Sequence, residues 1–550
     1  MSLQPKPMPT VPEETARVAR ASFPKGSTFM RMRDELGTIF SDEQFAALFS
    51  NRGQPAESPA SLALVTVMQF AEGLSDRQAA HAVRGRIDWK YALGLELTDP
   101  GFDGSVLTEF RARLIEGELE MVLFDTMLAR LREKGLLKKR GRMRTDSTHI
   151  LTAVRTLNRL ECVGETLRHA LDMVATIAPD WLSSWVPADW FDRYSRRFEE
   201  FRLPDGREER YALGEQIGRD GHHLWEQLGT SAELSHLRQL PALEALREVW
   251  LQQYVIEEGR LRWRQGDELP PAARLIQTPY DIEARYSIKR RTTWTGYKVH
   301  LTESCDEELP HLIVNVETTP ATLTDYEMTS EIQNHLAERD LLPGEHLVDS
   351  GYMSSDNLVD SHAHKVDLIG PVAGDPSWQA QAAEGFESAA FVIDWEHQVA
   401  YCPQGHPSHN WSTLKQNKAT VHNFRFPKKH CRPCPVRAKC TKAANSPRSL
   451  TIQTQAAYEA LQAARERQKE ETFREQYAAR AGVEGTVSQG VAIADLRRAR
   501  YVGLAKTRLQ HIFTALGMNV LRLGAWWAET PHSQTRVSSF GKLAPAVVPT

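Results

Sequence analysis

Two aspartates in this 550-residue chain each close a short segment with the pattern of a β-strand. Asp146 ends one such segment. Asp349 ends the segment HLVD and is followed directly by Ser350 and Gly351, which signal a turn. Carboxylates at the ends of neighbouring strands can frame a metal site, because Mg²⁺ prefers oxygen ligands. An aspartate in a turn or a helix cap is the commoner explanation for either residue taken singly.

A third carboxylate belongs to a helical pattern near the C-terminus. Tyr477, Arg480 and Glu484 stand at positions i, i+3 and i+7, a spacing that places all three side chains on one face of a helix. An arginine beside a glutamate keeps the acid ionised and oriented. A solvated, salt-bridged helix face is the alternative explanation, since the surrounding segment is rich in both charges.

The elements that must position these residues alternate between helical and strand patterns. Helical spacing dominates the first part of the chain and returns after residue 455. The strand patterns lie at 138–151, 294–304, 311–318, 346–349 and 366–370, with a helix at 324–339. This order predicts a mixed α/β core that is interrupted twice. The predicted units are a disordered arm (1–22), a helical N-terminal domain (23–135), a core (136–156, 285–371 and 454–530), a helical insert (157–284), a β-rich insert (372–453) and a tail (531–550).

The N-terminal helical region contains a pattern typical of a helix–turn–helix. Residues 60–73 carry apolar side chains at helical spacing, and a break follows at Gly73. Ser75 followed by Gln78 is a capping-box signal for the next helix. A third helix is expected to begin near Ser105. Many helical hairpins bind nothing, so this pattern alone does not establish DNA binding.

Bulk composition excludes some classes of protein and favours none strongly. The formal net charge is −4 and charged residues make up 25% of the chain, so a nucleic-acid partner would have to be held by local clusters of positive charge. The N-terminal segment lacks the apolar core of a signal peptide, and no apolar run approaches membrane-spanning length. We therefore expect a cytoplasmic protein.

The motifs around the three carboxylates resemble a known family. Tyr-x2-Arg-x3-Glu is the signature around the catalytic glutamate in a large group of bacterial insertion-sequence transposases of the DDE type. The segments TDST at 145–148, WTGYKVHLTE at 294–303 and VDSGYMS at 348–354 are also similar to that group, as is the chain from RAGVEGTVSQG onward. The resemblance spans residues 23 to 528.

The resemblance implies an RNase H-like mixed sheet core, a helical N-terminal DNA-binding domain, a helical insert and a small β-rich zinc insert. It implies a nucleoid-associated enzyme that cleaves and rejoins double-stranded DNA as a homodimer, with two Mg²⁺ or Mn²⁺ ions. Asp146 would bridge both ions, and Asp349 and Glu484 would each complete one site. Arg480 and Tyr477 would support Glu484. A nuclease without strand transfer and a transposase-derived, zinc-containing DNA-binding regulator are the alternatives.

One departure from the family pattern concerns DNA contact. The group often has a lysine seven residues after the glutamate, where this chain has Val491. Basic residues elsewhere concentrate at 138–144, 285–291, 428–442 and 497–508, and such clusters supply phosphate contacts when they do not merely face solvent. The candidate DNA-binding residues are Arg77, Arg84, Arg86, Arg111, Arg113, Arg497, Arg498 and Lys506.

Four of the six cysteines form a second candidate metal site. Cys402 precedes a Cys-x2-Cys-x5-Cys group formed by Cys431, Cys434 and Cys440. Four thiolates suit a tetrahedral structural Zn²⁺, and His406 could replace one of them. Unliganded thiols or disulfides are the alternatives. In a reducing compartment the spacing favours zinc, which would stabilise an insert too small to build its own core.

Overall fold

The computed structural model describes residues 1–230, 235–289, 291–382, 385–416 and 419–530. The predicted tail at 531–550 lies outside the described residues. Helices fill the region before the first strand. They are α1 (Glu13–Ser22), α2 (Thr28–Leu36), α3 (Pro59–Ala71), α4 (Asp76–Gly85), α5 (Ile87–Leu93), α6 (Ser105–Glu116) and α7 (Glu120–Glu133).

The predicted helix–turn–helix is present as α3 and α4. The Ser75 side chain accepts a hydrogen bond from the backbone N–H of Gln78, and the Gln78 side chain accepts from the backbone N–H of Ser75, so the predicted capping box is confirmed. The third helix, α6, begins at Ser105 as expected. Almost every residue of α3 is buried, which makes it a core helix rather than a surface element.

The prediction of a disordered arm over residues 1–22 is wrong. Helix α1 forms there, and the hydroxyl of its buried Thr15 donates to the Leu95 carbonyl at 2.8 Å. Further upstream, the Ser2 backbone N–H donates to the carbonyl of Gln54 at 2.8 Å. The high content of proline and charge suggested disorder, but these long-range hydrogen bonds tie the segment to the first helical layer.

A long insert separates the first strand, β1 (Arg142–Leu151), from the rest of its sheet. It is mostly helical, as expected, but it ends in a β-hairpin that the sequence patterns did not indicate. Its elements are α8 (Arg159–Ile177), α9 (Pro179–Trp185), α10 (Ala188–Tyr194), α11 (Arg207–Thr230), α12 (Pro241–Gln253), β2 (Tyr254–Glu257) and β3 (Arg260–Trp263). The insert has its own hydrophobic cluster, which includes the tryptophans Trp190 and Trp263.

The central sheet resumes after the insert. Its remaining elements are β4 (Arg285–Lys289), β5 (Thr292–Ser304), β6 (Ile313–Pro320), α13 (Met328–Glu338), β7 (Glu345–Leu347), α14 (Ser355–Ala363) and β8 (Asp367–Ile369). The strand order is β4-β5-β1-β7-β8, with β6 also paired to β5. Strands β4, β5 and β6 run antiparallel to their partners, whereas β1, β7 and β8 are mutually parallel. The predicted strands therefore form one mixed sheet, and its long central strand β5 is buried from Trp294 onward.

A second insert follows β8 and contains short strands, as expected. Its elements are α15 (Trp378–Gln381), β9 (Val392–Asp394), β10 (Val399–Tyr401), β11 (Asn410–Gln416), β12 (Ala419–Arg425), α16 (Lys428–Cys431), α17 (Arg437–Cys440) and β13 (Ser449–Gln453). Strands β9 and β10 pair with each other, and β11, β12 and β13 form a separate antiparallel sheet.

The C-terminal helical region is divided into four helices. They are α18 (Gln455–Arg467), α19 (Glu471–Ala478), α20 (Gly482–Ala494) and α21 (Leu504–Trp527). A 3-10 turn at Ala479–Ala481 joins α19 to α20. Helix α21 is buried along most of its length, in one hydrophobic cluster that also includes side chains of α3 and of the central sheet. The N-terminal helices and the sheet therefore share a single core, with no break in packing near residue 135.

Candidate active site

The parallel pairing of β1 with β7 brings the two aspartates to the same edge of the sheet. In this register Arg144 lies opposite Leu347. Asp146 follows Arg144 by two residues and Asp349 follows Leu347 by two residues. The two aspartates therefore lie side by side, just beyond the last residue pair of β1 and β7. Asp146 lies in the middle of β1 and is still paired with Leu301 of β5, so the expectation that it ends a strand is wrong, whereas Asp349 follows the last residues of β7. The parallel register nevertheless explains why residues about 200 positions apart can share a site.

Each aspartate accepts a backbone hydrogen bond through one oxygen and faces Arg480 through the other. Asp146 Oδ1 accepts a hydrogen bond from the backbone N–H of Ser147 at 2.8 Å. Asp349 Oδ1 accepts from the backbone N–H of Gly351, also at 2.8 Å. The second oxygens of both aspartates face the guanidinium group of Arg480, at 2.9 Å for Asp146 and 3.9 Å for Asp349.

Arg480 and Glu484 meet across the junction between the 3-10 turn and α20. Arg480 Nη1 donates to Glu484 Oε1 at 3.0 Å, so the two side chains share a helix face even though the helix is not continuous from residue 477. One guanidinium group therefore contacts all three predicted carboxylates. The Arg480 side chain is only 13% exposed, whereas that of Glu484 is 68% exposed, so the site opens to solvent on the side of Glu484.

Burial and the neighbouring positive charge have opposite effects on the pKa of Asp146. Burial raises the pKa of the Asp146 carboxyl above its ordinary value, and this effect outweighs the opposing pull of Arg480 and of the Ser147 N–H. Burial alone would lower the pKa of Arg480, but Asp146 and the other nearby acids raise it instead. The buried carboxylate of Asp146 therefore lies beside a positive charge, which one arginine supplies.

Tyr477 lies in an apolar cluster behind the site. Its ring stacks on Phe473 with the centroids 5.6 Å apart, and both rings pack against Leu347 and Ile369 of the parallel strands. Burial raises the pKa of the Tyr477 hydroxyl. Tyr477 thus packs α19 against the strand that precedes Asp349. The sequence predicted only that Tyr477 shares a helix face with Arg480 and Glu484.

A fourth acid lies close to the predicted triad. Asp325 accepts hydrogen bonds from the Ser147 hydroxyl at 3.1 Å and from Lys298 Nζ at 3.0 Å, and Lys289 Nζ lies 3.4 Å away. A Cβ atom on Gly351 would lie 3.0 Å from Asp349 Oδ1 and 3.1 Å from Asp325 Oδ2, so these two acids flank that glycine. The sequence patterns did not single out Asp325. Lys298, a lysine within the strand pattern at 294–304, was the one local signal, because a buried lysine needs an acidic partner.

Some of the candidate DNA-binding side chains are buried or already paired within the protein, whereas others are exposed. The assignment of Arg111 is wrong, because its side chain is buried and forms an ion pair with Asp76 at 2.5 Å. Arg86 is engaged by the acids Glu72 and Asp88, and Arg113 donates to the Leu48 carbonyl. These arginines stabilise the helical layer itself.

The remaining candidates are exposed. They are Arg77, Arg84, Arg497, Arg498 and Lys506. Arg497 Nε donates to the Thr148 hydroxyl at 3.1 Å, which places this arginine two residues along β1 from Asp146. Val491, in the position where the family often has lysine, packs against the main hydrophobic cluster. The structure therefore brings Arg497, rather than residue 491, to the border of the site.

The four cysteines of the second insert line one small cavity, of about 30 Å³, together with His406 and His430. Burial, and the proximity of the other three thiols, raise the pKa of Cys440 to about 11. All four are free cysteines. Nowhere among the described residues do three or more histidine, cysteine or acidic side chains adopt an arrangement that could hold a metal ion, and this includes both candidate sites.

Comparison with known families identifies the class of protein. A family described as "Transposase DDE domain" matches residues 401–524, which include Arg480 and Glu484. A family described as "Transposase domain (DUF772)" matches residues 17–113. No curated protein and no solved structure matches the chain. The two family matches, over residues 17–113 and 401–524, support an insertion-sequence DDE transposase.

In the part of the chain that the structure describes, no helix is both long enough and apolar enough to cross a membrane.

Proposed function

We propose that this transposase cleaves the ends of an insertion sequence and joins them to target DNA by phosphoryl transfer at Asp146, Asp349 and Glu484. The observation that carries the proposal is the convergence of these three carboxylates, from two strands and a helix, on one arginine. The strand order, with β1 between β5 and the parallel strand β7, is the order expected of an RNase H-like core.

The donor set fits a hard divalent cation such as Mg²⁺ or Mn²⁺. Carboxylate oxygens are the ligands that such ions prefer, and all three carboxylates already pair with one positive charge, that of Arg480. Asp146 would contact both ions, with Asp349 and Glu484 each completing one site. When bound, two such ions activate the attacking oxygen and stabilise the leaving oxygen. Arg480 lies between the carboxylates, so its side chain must move for the ions to bind.

Several residues of the chain orient the carboxylates before metal ions replace the Arg480 side chain. The backbone N–H groups of Ser147 and Gly351 orient the two aspartates without using their second oxygens. Arg480 opposes the rise that burial causes in the pKa of Asp146. After displacement, its planar group can donate to a DNA phosphate. Arg497, beside Thr148, offers a second cation at the border of the site. DNA is thereby held against the repulsion of the acids.

Purified protein and a plasmid carrying the element's terminal inverted repeats test the proposal. We expect Mg²⁺-dependent cleavage at the ends and joined products, both of which are lost in Asp146→Ala, Asp349→Ala and Glu484→Ala while binding to the ends persists. Glu475→Ala is the matched control, because Glu475 is an exposed acid on the adjacent helix α19. Cleavage without joining would support a nuclease, and near-normal cleavage by any triad variant would remove that residue from the site.

We infer that the N-terminal helices recognise the element's ends. The exposed arginines Arg77 and Arg84 lie on α4, the second helix of the helix–turn–helix. We expect Arg77→Ala to weaken binding to a labelled end duplex and to reduce the dependence of that binding on salt concentration. The full-length chain is the appropriate material, because these helices share their core with the sheet. Unchanged binding would exclude α4 from the interface.

We also propose that the four cysteines hold one structural Zn²⁺. Their convergence on one small cavity supports this, and the thiol donor set is the one that zinc prefers. The basic residues of the insert, Lys428 and Lys429 among them, would then face DNA from a rigid support.

We further propose that the enzyme acts on DNA as a homodimer, which sedimentation of the protein–DNA complex would test.

A further inference from the structure

The carboxylate of Glu303, in the centre of the molecule, is fully buried yet takes no part in the proposed chemistry. Glu303 is 0% exposed and lies on β5 directly opposite Arg144 of β1. Two arginines contact it. Arg144 Nε donates to Oε1 at 2.6 Å, and Arg522 Nη1 donates to Oε2 at 2.5 Å. A buried acid is tolerated only where such partners compensate its lost hydration.

The same cluster reaches the helix that carries Glu484. The Thr486 hydroxyl donates to Glu303 Oε2 at 2.5 Å and accepts from Arg522 Nη2 at 2.7 Å. Thr486 is two residues after Glu484 on α20. Arg522 Nε also donates to the Gln489 side chain at 2.9 Å, which fixes the next turn of the same helix.

Arg144 connects Glu303 to the strand that carries Asp146. It precedes Asp146 by two residues on β1, so the two side chains lie on the same face of the strand. Its Nη1 donates to the carbonyl of Ala479 at 2.5 Å, directly before Arg480. A Cβ atom on Gly482 would lie only 2.1 Å from Arg144 Nη1, so the guanidinium group needs a glycine at that position.

We propose that Glu303 is a positioning residue that holds the strand of Asp146 and the helix of Glu484 at a fixed separation, and so sets the affinity of the site for divalent metal. The bonds of the cluster connect β1, which carries Asp146, to α20, which carries Glu484, through Glu303 on β5 and Arg522 on α21. Burial would raise the pKa of Glu303, but Arg522, Arg144 and Thr486 outweigh it and keep the carboxyl ionised. The inference rests on the proposed function of the three carboxylates.

Glu303→Gln tests the proposal, because it retains the size of the side chain and removes its charge. Outer residues that orient metal ligands change affinity by about 10–100-fold when altered. We therefore expect the Mn²⁺ dissociation constant, measured on the purified protein by electron paramagnetic resonance, to rise by at least about tenfold. Glu317→Gln is the matched control, since Glu317 is a buried acid on the neighbouring strand β6 that pairs with His335 instead. It should leave Mn²⁺ binding unchanged.

A second pair of variants applies if Glu303→Gln does not fold. Gly482→Ala forces Arg144 out of the cluster, whereas Gly485→Ala adds the same methyl group to the same helix with nothing within 4 Å. We expect only Gly482→Ala to weaken Mn²⁺ binding. Equal Mn²⁺ affinity in both members of either pair would overturn the proposal. If Glu484→Ala does not alter Mn²⁺ binding to the wild-type framework, the proposed metal site itself is wrong.

Discussion

Arg480 provides a test in which metal affinity and reaction rate should change in opposite directions. Its guanidinium group lies 2.9 Å from Asp146 Oδ2 and 3.0 Å from Glu484 Oε1. In the proposed metal site it would compete with divalent ions for the carboxylates, yet it also pairs with Glu484. Removal of the side chain in Arg480→Ala should therefore free the ligands for metal while disturbing the geometry that the reaction needs.

The size of the first effect follows from the charge pairs. Two unit charges about 4 Å apart interact by about 4 kcal/mol at an effective dielectric constant of about 20. Glu484 is 68% exposed, so solvent screens its pair with Arg480 and little energy is assigned to it. Desolvation of Asp146 offsets much of the interaction energy of the other pair, between Asp146 and Arg480. A residual of about 1.4 kcal/mol corresponds to a tenfold lower Mn²⁺ dissociation constant.

The second effect is a loss of positioning. We expect Arg480→Ala to cleave more slowly by about 100-fold or more, because loss of orientation at a reacting group has effects of that order. Arg480→Lys keeps the charge and loses the planar fork, so its Mn²⁺ affinity should remain near that of the wild type while its rate falls to an intermediate value.

Mn²⁺ titration without DNA and single-turnover cleavage with Mg²⁺ measure the two effects separately. Arg474→Ala is the matched control, because Arg474 is an exposed arginine on α19 and its removal changes the net charge equally. Weaker Mn²⁺ binding by Arg480→Ala would show that the arginine organises the carboxylates instead of competing for them. A near-normal cleavage rate would refute its positioning role.

Three further predictions concern single side chains. Glu484→Gln keeps the size of the side chain but removes the ligand charge, so it should abolish cleavage as fully as Glu484→Ala; near-normal cleavage would show that Glu484 binds no metal. Purified protein should contain about one equivalent of zinc, which Cys434→Ser loses, whereas a folded, active, zinc-free wild type would contradict the site. Glu317 raises the pKa of His335, so this pair stabilises the fold in full below the ordinary histidine pKa and less as pH rises through the raised value. The drop in melting temperature caused by His335→Gln should therefore shrink between pH 5.5 and pH 9, and a constant drop would exclude that pair.

Local signals in the sequence were sufficient for several elements. Ser75 and Gln78 predicted the start of α4, because a capping box involves residues only three positions apart. The spacing of Arg480 and Glu484 placed both side chains on one face, which persists despite the 3-10 turn beside them. Residue type and the ends of strand-like segments also singled out Asp146 and Asp349, since each of those signals lies within a few residues of the aspartate.

Long-range pairing decided the rest, and no local pattern reports it. Asp146 and Asp349 meet only because Arg144 pairs with Leu347 in parallel register, and a shift of one residue would separate them. Arg111 has the sequence context of a surface arginine, but Asp76 from another helix holds it in the interior. Glu303 likewise acquires its partners from β1, α20 and α21, up to 219 residues away. The sequence by itself determined which residues are candidates for binding metal and DNA. Only the tertiary structure decided which of them meet, because burial and charge pairing depend on contacts between distant segments.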